Sequence, residues 1–379
     1  MGFSALLIAL YIALLPSSSY TLQCKDEDGK SVDWFIAYKL PKHEQNNDPY
    51  TGLKYVYSSS ELTSSSWVAG KYPITDEKSI FAQSLSSLYG AHSSKLNFLL
   101  YSDQPPKGEP GSGRGHSKGA LLFDQDSGLW LTHSVPGFPI DPESGSHYEY
   151  PTTGIPNGQS LLCISFKTKS LEDITTNLLY IRPHIYAFSI DPTVQQTYPQ
   201  LDSLINKKWI KKGISQRTLQ TIGGQSFMTF GKSPTDFLDI YSEVLAPTLS
   251  TSMLAETWRK GAGTPLPSAC NTTYSVQNIK ELSIDEPGPS IEGARGTWSY
   301  TEDHSKWAIG IESAKPFVCI GDLNRMRSQF RRGGGAVCFR NNRIWNIMNQ
   351  SIREIEPCPR RQRKKLSRRV YDKMTRIFG

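Results

Sequence analysis

The sequence predicts an α/β mixture of strands and helices that carries one short element twice. Three observations carry this: strand-like runs rich in β-branched and aromatic residues alternate with a few helical patterns, a His-x-Lys element occurs once in each half, and a Pro/Gly-rich loop precedes each element. The elements are Arg114-Gly115-His116-Ser117-Lys118-Gly119 and Glu302-Asp303-His304-Ser305-Lys306-Trp307. Successive side chains of a strand point to opposite faces, so each His shares a face with its Lys and leaves the Ser behind. Two copies together offer two imidazoles and two ammoniums. That set supplies an attacking group, a proton donor and two fixed cations for an anion such as a phosphodiester.

Taken in order, the chain opens on an apolar run from Ala5 to Leu15, followed by Pro16 and three serines. This reads as a signal peptide over 1–19, although no Lys or Arg precedes the run, which is too short to span a bilayer comfortably. The first half then covers 20–190, the second 191–358, and a tail 359–379. Strands are expected over 31–41 and 95–101, a helix over 75–89, and loops over 42–66 and 104–115. Residues 119–124 and 129–135 flank Gln125-Asp126-Ser127-Gly128 and read as a hairpin. With an even turn Asp124 faces Leu129 and Ala120 faces His133, which puts His133 on the face of His116 and Lys118, diagonal to Lys118. Further strands are expected over 160–166 and 178–190, helices over 201–212 and 235–249, and a strand or helix over 275–284. After a loop over 287–296 and the second element come strands over 317–322 and 336–339 about a turn at 331–335, which brings Cys319 near Cys338. A helix over 345–355 leads to Cys358.

A chain of 379 residues is long enough for one large domain or two ordinary ones. Its six cysteines, in a chain entering the secretory pathway, imply up to three disulfides. None lies in a Cys-x-x-Cys pair, which argues against zinc. Asn271 and Asn349 open glycosylation sequons. The net charge of +7 is concentrated in the tail, where nine Lys or Arg against one Asp give +8 and leave the body at −1. The body is thus not a basic nucleic-acid binder by composition, and a basic groove has to be made locally. In an acidic compartment its histidines protonate and the body becomes cationic.

Other stretches join the two elements: Val32-Asp33-Trp34-Phe35, Tyr38-Lys39-Leu40-Pro41, Phe98 to Pro106 (FLLYSDQPP), Leu131-Thr132-His133-Ser134-Val135-Pro136, Cys319-Ile320-Gly321-Asp322-Leu323-Asn324-Arg325 and Arg332 to Gly335. Over residues 22–358 the chain resembles the deoxyribonuclease II family, acid nucleases of the phospholipase D superfamily. The resemblance implies a phospholipase D-like, pseudo-twofold αβ sandwich with a central mixed sheet in each half and one active site between the halves. It implies a metal-independent acid endodeoxyribonuclease without cofactor, lysosomal or secreted, that degrades DNA from engulfed or dying cells. Double-stranded DNA is the implied partner, through its phosphate backbone, with no stable membrane span and with homodimer formation left open.

By the same resemblance, His116 attacks phosphorus to form a phosphohistidine and His304 protonates the departing 5′ oxygen, with the two roles open to exchange. The products carry 3′-phosphate and 5′-hydroxyl ends. Lys118 and Lys306 hold the non-bridging oxygens, and His133 and Asn324, 17 and 20 residues after their histidines, are phosphate contacts. The superfamily's Asp five residues after each Lys is replaced by Phe123 and Ile311, so the carboxylate that orients each imidazole is unidentified. The implied disulfides are Cys24–Cys163, Cys319–Cys338 and Cys270–Cys358. The rival readings are an inactive secreted nucleic-acid-binding protein of the same fold and a phosphodiesterase acting on a phospholipid.

Overall fold

The computed structural model describes residues 22–42, 51–89, 96–111, 113–286 and 294–358. The expected signal peptide, the basic tail and most of the 287–296 loop lie outside them. The first half runs β1 (Cys24–Lys25), β2 (Ser31–Val32), β3 (Trp34–Lys39), β4 (Tyr55–Ser59), β5 (Val68–Ala69), α1 (Ile80–Tyr89), β6 (Asn97–Ser102), β7 (Lys118–Phe123), β8 (Ser127–His133), β9 (Gln159–Lys167), α2 (Leu171–Ile181) and β10 (Ile185–Ser189). There follow α3 (Pro192–Thr197), α4 (Pro199–Ile205), β11 (Ile214–Gln220), β12 (Ser226–Lys232), α5 (Ala246–Leu249), β13 (Met253–Thr257), β14 (Val276–Glu286), β15 (Ala294–Ser299), β16 (Lys306–Gly310), β17 (Phe317–Gly321), β18 (Gly334–Arg340), α6 (Asn342–Gln350) and β19 (Ile352–Ile355).

The strands form two large sheets. The first has the order β10-β6-β7-β8-β9-β3-β4-β5, and the second β11-β12-β18-β17-β16-β13-β14-β15 with β19 on β14. A mixed sheet was expected in each half, but only the second is mixed, through the parallel pair β13–β14. In the first, α2 carries the chain from β9 past three strands to the far edge, where β10 meets β6 antiparallel. Around each His-x-Lys the arrangement repeats. The antiparallel sets β6-β7-β8-β9 and β13-β16-β17-β18 each have the Lys of a His-x-Lys as the first residue of the second strand, with the His and Ser just before it, and a helix following the fourth. The expected match between the two preceding loops fails, because the β14–β15 hairpin is inserted between β13 and β16.

Alternation along β3 builds two cores. Trp34, Ile36 and Tyr38 face the second sheet with Trp307, Ile309 and Phe339, while Phe35 and Ala37 join Phe81 and Leu85 of α1 on the outer face. Each such side chain contributes about 1.5–3 kcal/mol on burial. The Trp34 and Phe339 rings lie 5.5 Å apart, and Tyr38 and Trp298 5.7 Å, so aromatic contacts tie the sheets together.

Several local readings are corrected. The 178–190 stretch is not one strand: Leu171, Ile174, Leu178 and Ile181 form a buried helical stripe, and α2 stops where Arg182 takes φ 59° before β10 begins. The helix expected over 201–212 ends at Ile205, and Lys207 lies at φ 56°. The one expected over 235–249 begins at Tyr241 with a π-helical turn. In the β7–β8 hairpin the register pairs Ala120 with Leu131, two residues from the expected pairing. Asp124 accepts hydrogen bonds from the N–H groups of Asp126 and Ser127, at 2.8 Å each, and so belongs to the turn. The parity survives, and continuing the register puts His133 directly across from Lys118.

Disulfides join Cys24 to Cys163, Cys270 to Cys358 and Cys319 to Cys338. Such bonds suit an oxidising compartment. Among the described residues no helix is long and apolar enough to cross a membrane.

Candidate active site

Both His-x-Lys elements sit at the mouths of their sheets and are locked across the two halves by backbone hydrogen bonds. The His116 N–H donates to Gly333 O of the second half at 2.8 Å, and the His304 N–H donates to Gly158 O of the first at 2.8 Å. All four side chains of the elements line one cavity of about 570 Å³, together with Asp103, Trp258, Arg114, Arg331 and Arg332. Five cationic residues therefore surround one carboxylate, the charge balance a phosphate chain requires. The serines are buried behind, and Ser305 Oγ lies 2.8 Å from the Tyr38 hydroxyl.

The carboxylate that orients His116 is Asp103, the residue just past β6. The register opposes Ser102 to Lys118, so Asp103 is delivered beside the start of β7. Its Oδ2 is 2.8 Å from His116 Nδ1 and 3.0 Å from Arg332 Nη2, and its Oδ1 accepts from Lys118 Nζ at 2.6 Å. Burial works to raise its pKa, but Lys118, His116 and Arg332 together hold it well below the ordinary carboxylate value. An ionised acceptor at Nδ1 fixes the proton there and leaves a lone pair on Nε2, which is buried and has no hydrogen-bond partner among the described residues. Asp103 stands in the sequence upstream of the His-x-Lys, whereas the superfamily pattern directs attention downstream. The signal that could have found it is the antiparallel return from the 95–101 strand into the 119–124 strand.

The second half fills the same place differently. Thr257 opposes Lys306, so the residue just past β13 is Trp258. Its ring meets the His304 imidazole edge to face, centroids 4.2 Å apart. Among the described residues no carboxylate hydrogen-bonds the His304 ring. Asp303 is turned inward, accepting from Trp298 Nε1 at 3.0 Å, the Ser305 N–H at 2.9 Å and the Tyr38 hydroxyl. Lys306 Nζ donates to His304 O at 2.6 Å.

Burial and neighbouring cations lower the proton affinity of the whole group. His116 falls to about 4, through burial and Lys118 against the pull of Asp103. His304 falls to about 3, through burial, Lys306 and Lys118, and Lys306 itself to about 7 through burial and Lys118. A bound phosphodiester anion would reverse these shifts.

His133 and Asn324 do not line the cavity. His133 is buried beside Lys118, takes a hydrogen bond on Nδ1 from the Val135 N–H at 3.2 Å and packs on Phe138. Asn324 is buried, with its Oδ1 free of any hydrogen-bond partner among the described residues. Asn271 and Asn349 are both exposed.

Residues 23–358 match the family model described as Deoxyribonuclease II. The chain belongs to the deoxyribonuclease II family. It is 38% identical over 365 residues to deoxyribonuclease-2-beta of Homo sapiens, covering 94% of this chain and 96% of that protein. To deoxyribonuclease-2-alpha of Mus musculus it is 36% identical, covering 92% and 97%. Cell-death-related nuclease 7 of Caenorhabditis elegans is 31% identical, with 92% and 93% covered. In this chain one His-x-Lys is thus backed by a carboxylate and the other by an indole.

Proposed function

We propose that this chain is a metal-independent acid endodeoxyribonuclease that hydrolyses duplex DNA to 3′-phosphate and 5′-hydroxyl ends, in the lysosome or secreted fluid, on DNA from engulfed or dying cells. The fold reading that goes with it is a phospholipase D-like pair of halves, 20–190 and 191–358, with one site between them. The carrying observation is the convergence of His116, Lys118, His304 and Lys306 on one cationic cavity within a deoxyribonuclease II chain.

Asp103 decides the roles. With its proton held on Nδ1, His116 attacks phosphorus through Nε2, forming a P–N bond while the P–O5′ bond breaks. His304, as imidazolium, gives its proton to the departing O5′. The neutral His304 then takes a proton from water, which attacks phosphorus, breaks the P–N bond and leaves a 3′-phosphate. Lys118 and Lys306 bind the non-bridging oxygens, and Arg114, Arg331 and Arg332 the neighbouring phosphates. His133, buried beside Lys118, and Asn324 support the phosphate from behind. Acid is required because His304 holds its proton weakly and because Lys306 is charged only below about pH 7.

The test is end-group analysis of DNA digested at about pH 5 with chelator, together with trapping of phosphohistidine in H304A by a denaturing alkaline quench, using an aryl phosphodiester whose leaving group needs no proton. New 3′-phosphate ends and label on His116 are expected. Intact duplex under these conditions refutes the activity, and cleavage of a phospholipid instead moves the substrate class.

A further inference from the structure

Each half contains a second buried lysine that the scheme above does not use. Lys39 is the last residue of β3 and Lys232 the last of β12, and both are fully buried, at 0% exposure. The two strands hold equivalent places, β3 beside β9 and β12 beside β18. Lys39 opposes Gln159, the first residue of β9, and Lys232 opposes Gly334, the first residue of β18. Each ammonium reaches main-chain carbonyls of the loop entering that neighbouring strand, and Lys232 Nζ also donates, more distantly, to Ser233 O at 3.4 Å. Lys39 Nζ donates to Ile155 O at 2.6 Å, and Lys232 Nζ to Arg332 O at 2.7 Å and Phe330 O at 3.0 Å.

Those loops end on Gly158 and Gly333, whose carbonyls accept the His304 and His116 N–H groups across the halves. Both crossings demand bare backbone. A Cβ on Gly158 would stand 2.7 Å from the Asp303 carboxylate, and one on Gly333 2.0 Å from Ile181 O. The loops differ in sequence, Ile155-Pro156-Asn157-Gly158 against Phe330-Arg331-Arg332-Gly333, yet the lysine, the carbonyl and the glycine recur in the same order. Taking an ammonium out of water is costly, and an apolar side chain of similar length would fill the space without that cost. Its presence at the same place in both sheets therefore points to the carbonyls it holds.

We propose that Lys39 and Lys232 are a matched pair of positioning residues, each fixing the loop that sets the histidine of the opposite half: Lys39 sets His304, and Lys232 sets His116. Neither lines the cavity, so neither touches substrate. The assignment of loop to histidine is geometric, and only the kinetic signature rests on the roles proposed above.

The experiment compares first-turnover leaving-group release by K39M and K232M, with enzyme in excess so that the later deprotonation of water by His304 is not read, on two substrates: duplex DNA, whose alkoxide leaving group needs a proton, and thymidine 3′-(p-nitrophenyl phosphate), whose aryl oxide does not. K39M is expected to lose about tenfold to a hundredfold on DNA and far less on the aryl diester. K232M, which displaces the attacking group, is expected to lose about a hundredfold on both. The ratio of the two rates in one preparation does not depend on the folded fraction, so loss of stability cannot imitate the split. K39Q and K232Q keep a donor and should recover part of each loss; they also serve if a Met variant is insoluble. H304A and H116A on the same substrates give the reference patterns. K39M must follow H304A and K232M must follow H116A; equal losses on both substrates from K39M when H304A discriminates, or exchanged patterns, overturn the inference. If H304A itself shows no discrimination, the acid assignment is wrong, and the pairing of each lysine with its histidine still stands or falls on whether the patterns match.

Discussion

Replacing Asp103 by Asn tests the role assignment most directly, because one carboxylate serves three partners. In the native site it faces His116 Nδ1, Lys118 Nζ and Arg332 Nη2 at 2.8, 2.6 and 3.0 Å. Although burial opposes its charge, these cations hold its pKa well below 3.8, so it is ionised throughout the working range. A carboxylate lowered on folding adds stability above its unfolded pKa and loses it as pH falls through the folded value, so at pH 5 the full contribution is present. The amide is isosteric but can donate as well as accept, and no longer enforces the tautomer that presents Nε2. A loss of about 10²–10⁴ in kcat is expected. KM should stay level or fall, because a negative charge beside the bound phosphate has been removed. Breaking a buried pair costs about 3–5 kcal/mol at most, so the melting temperature should drop by several degrees without abolishing the fold. Initial rates of plasmid nicking at pH 5, beside a thermal melt, measure both. A folded D103N that nicks at close to the native rate would refute the reasoning.

Three other outcomes follow from the same groups. Inorganic phosphate should raise the melting temperature more at pH 5 than at pH 8, because Lys306 is charged below about pH 7, and a dye-based melt titrated at both pH values checks it. On the alkaline side the rate should climb steadily as pH falls from 7 toward 4, since His304 at about 3 gains its proton only gradually; a pH–rate profile flat over that range contradicts the acid role. Truncation after Cys358 removes nine Lys or Arg and should flatten the dependence of DNA binding on salt, read as the slope of log K against log salt; an unchanged slope excludes the tail from the interface.

Much of this site is legible in the sequence because its strongest signal is local. A His-x-Lys running into a strand carries much of its own geometry, and the alternation of the hairpin was enough to place His133 on the face of Lys118 although the pairing is shifted by two. What is not legible depends on partners distant in the chain. Asp103 gains its meaning from the pairing of β6 with β7, and Trp258 from that of β13 with β16, about fifty residues apart with a hairpin between. The 178–190 stretch, read as one strand, misleads for another reason. Its apolar residues Leu178 to Ile181 close the helix and Ile185 opens the strand, and only Arg182-Pro183-His184, with Arg182 left-handed, separate them. Lys39 and Lys232 look like ordinary strand-end lysines until the loops they hold are seen.

The two halves repeat their strands around each His-x-Lys and diverge at the one position that sets imidazole chemistry. At the first residue past the strand beside each His-x-Lys stands a carboxylate in one half and an indole in the other. A carboxylate on both imidazoles would make both hold protons alike and present the same nitrogen, and the direction from which the phosphodiester enters would have to choose attacker from donor. A carboxylate on neither would leave both tautomers unset among five cations. Under the proposed scheme, one of each gives His116 a fixed lone pair and leaves His304 with a loosely held proton, which divides attack from proton donation. The same choice makes the site depend on acid: the indole supplies no negative charge to retain the proton of His304, so the solution and the bound phosphate must supply what Asp103 supplies to its partner.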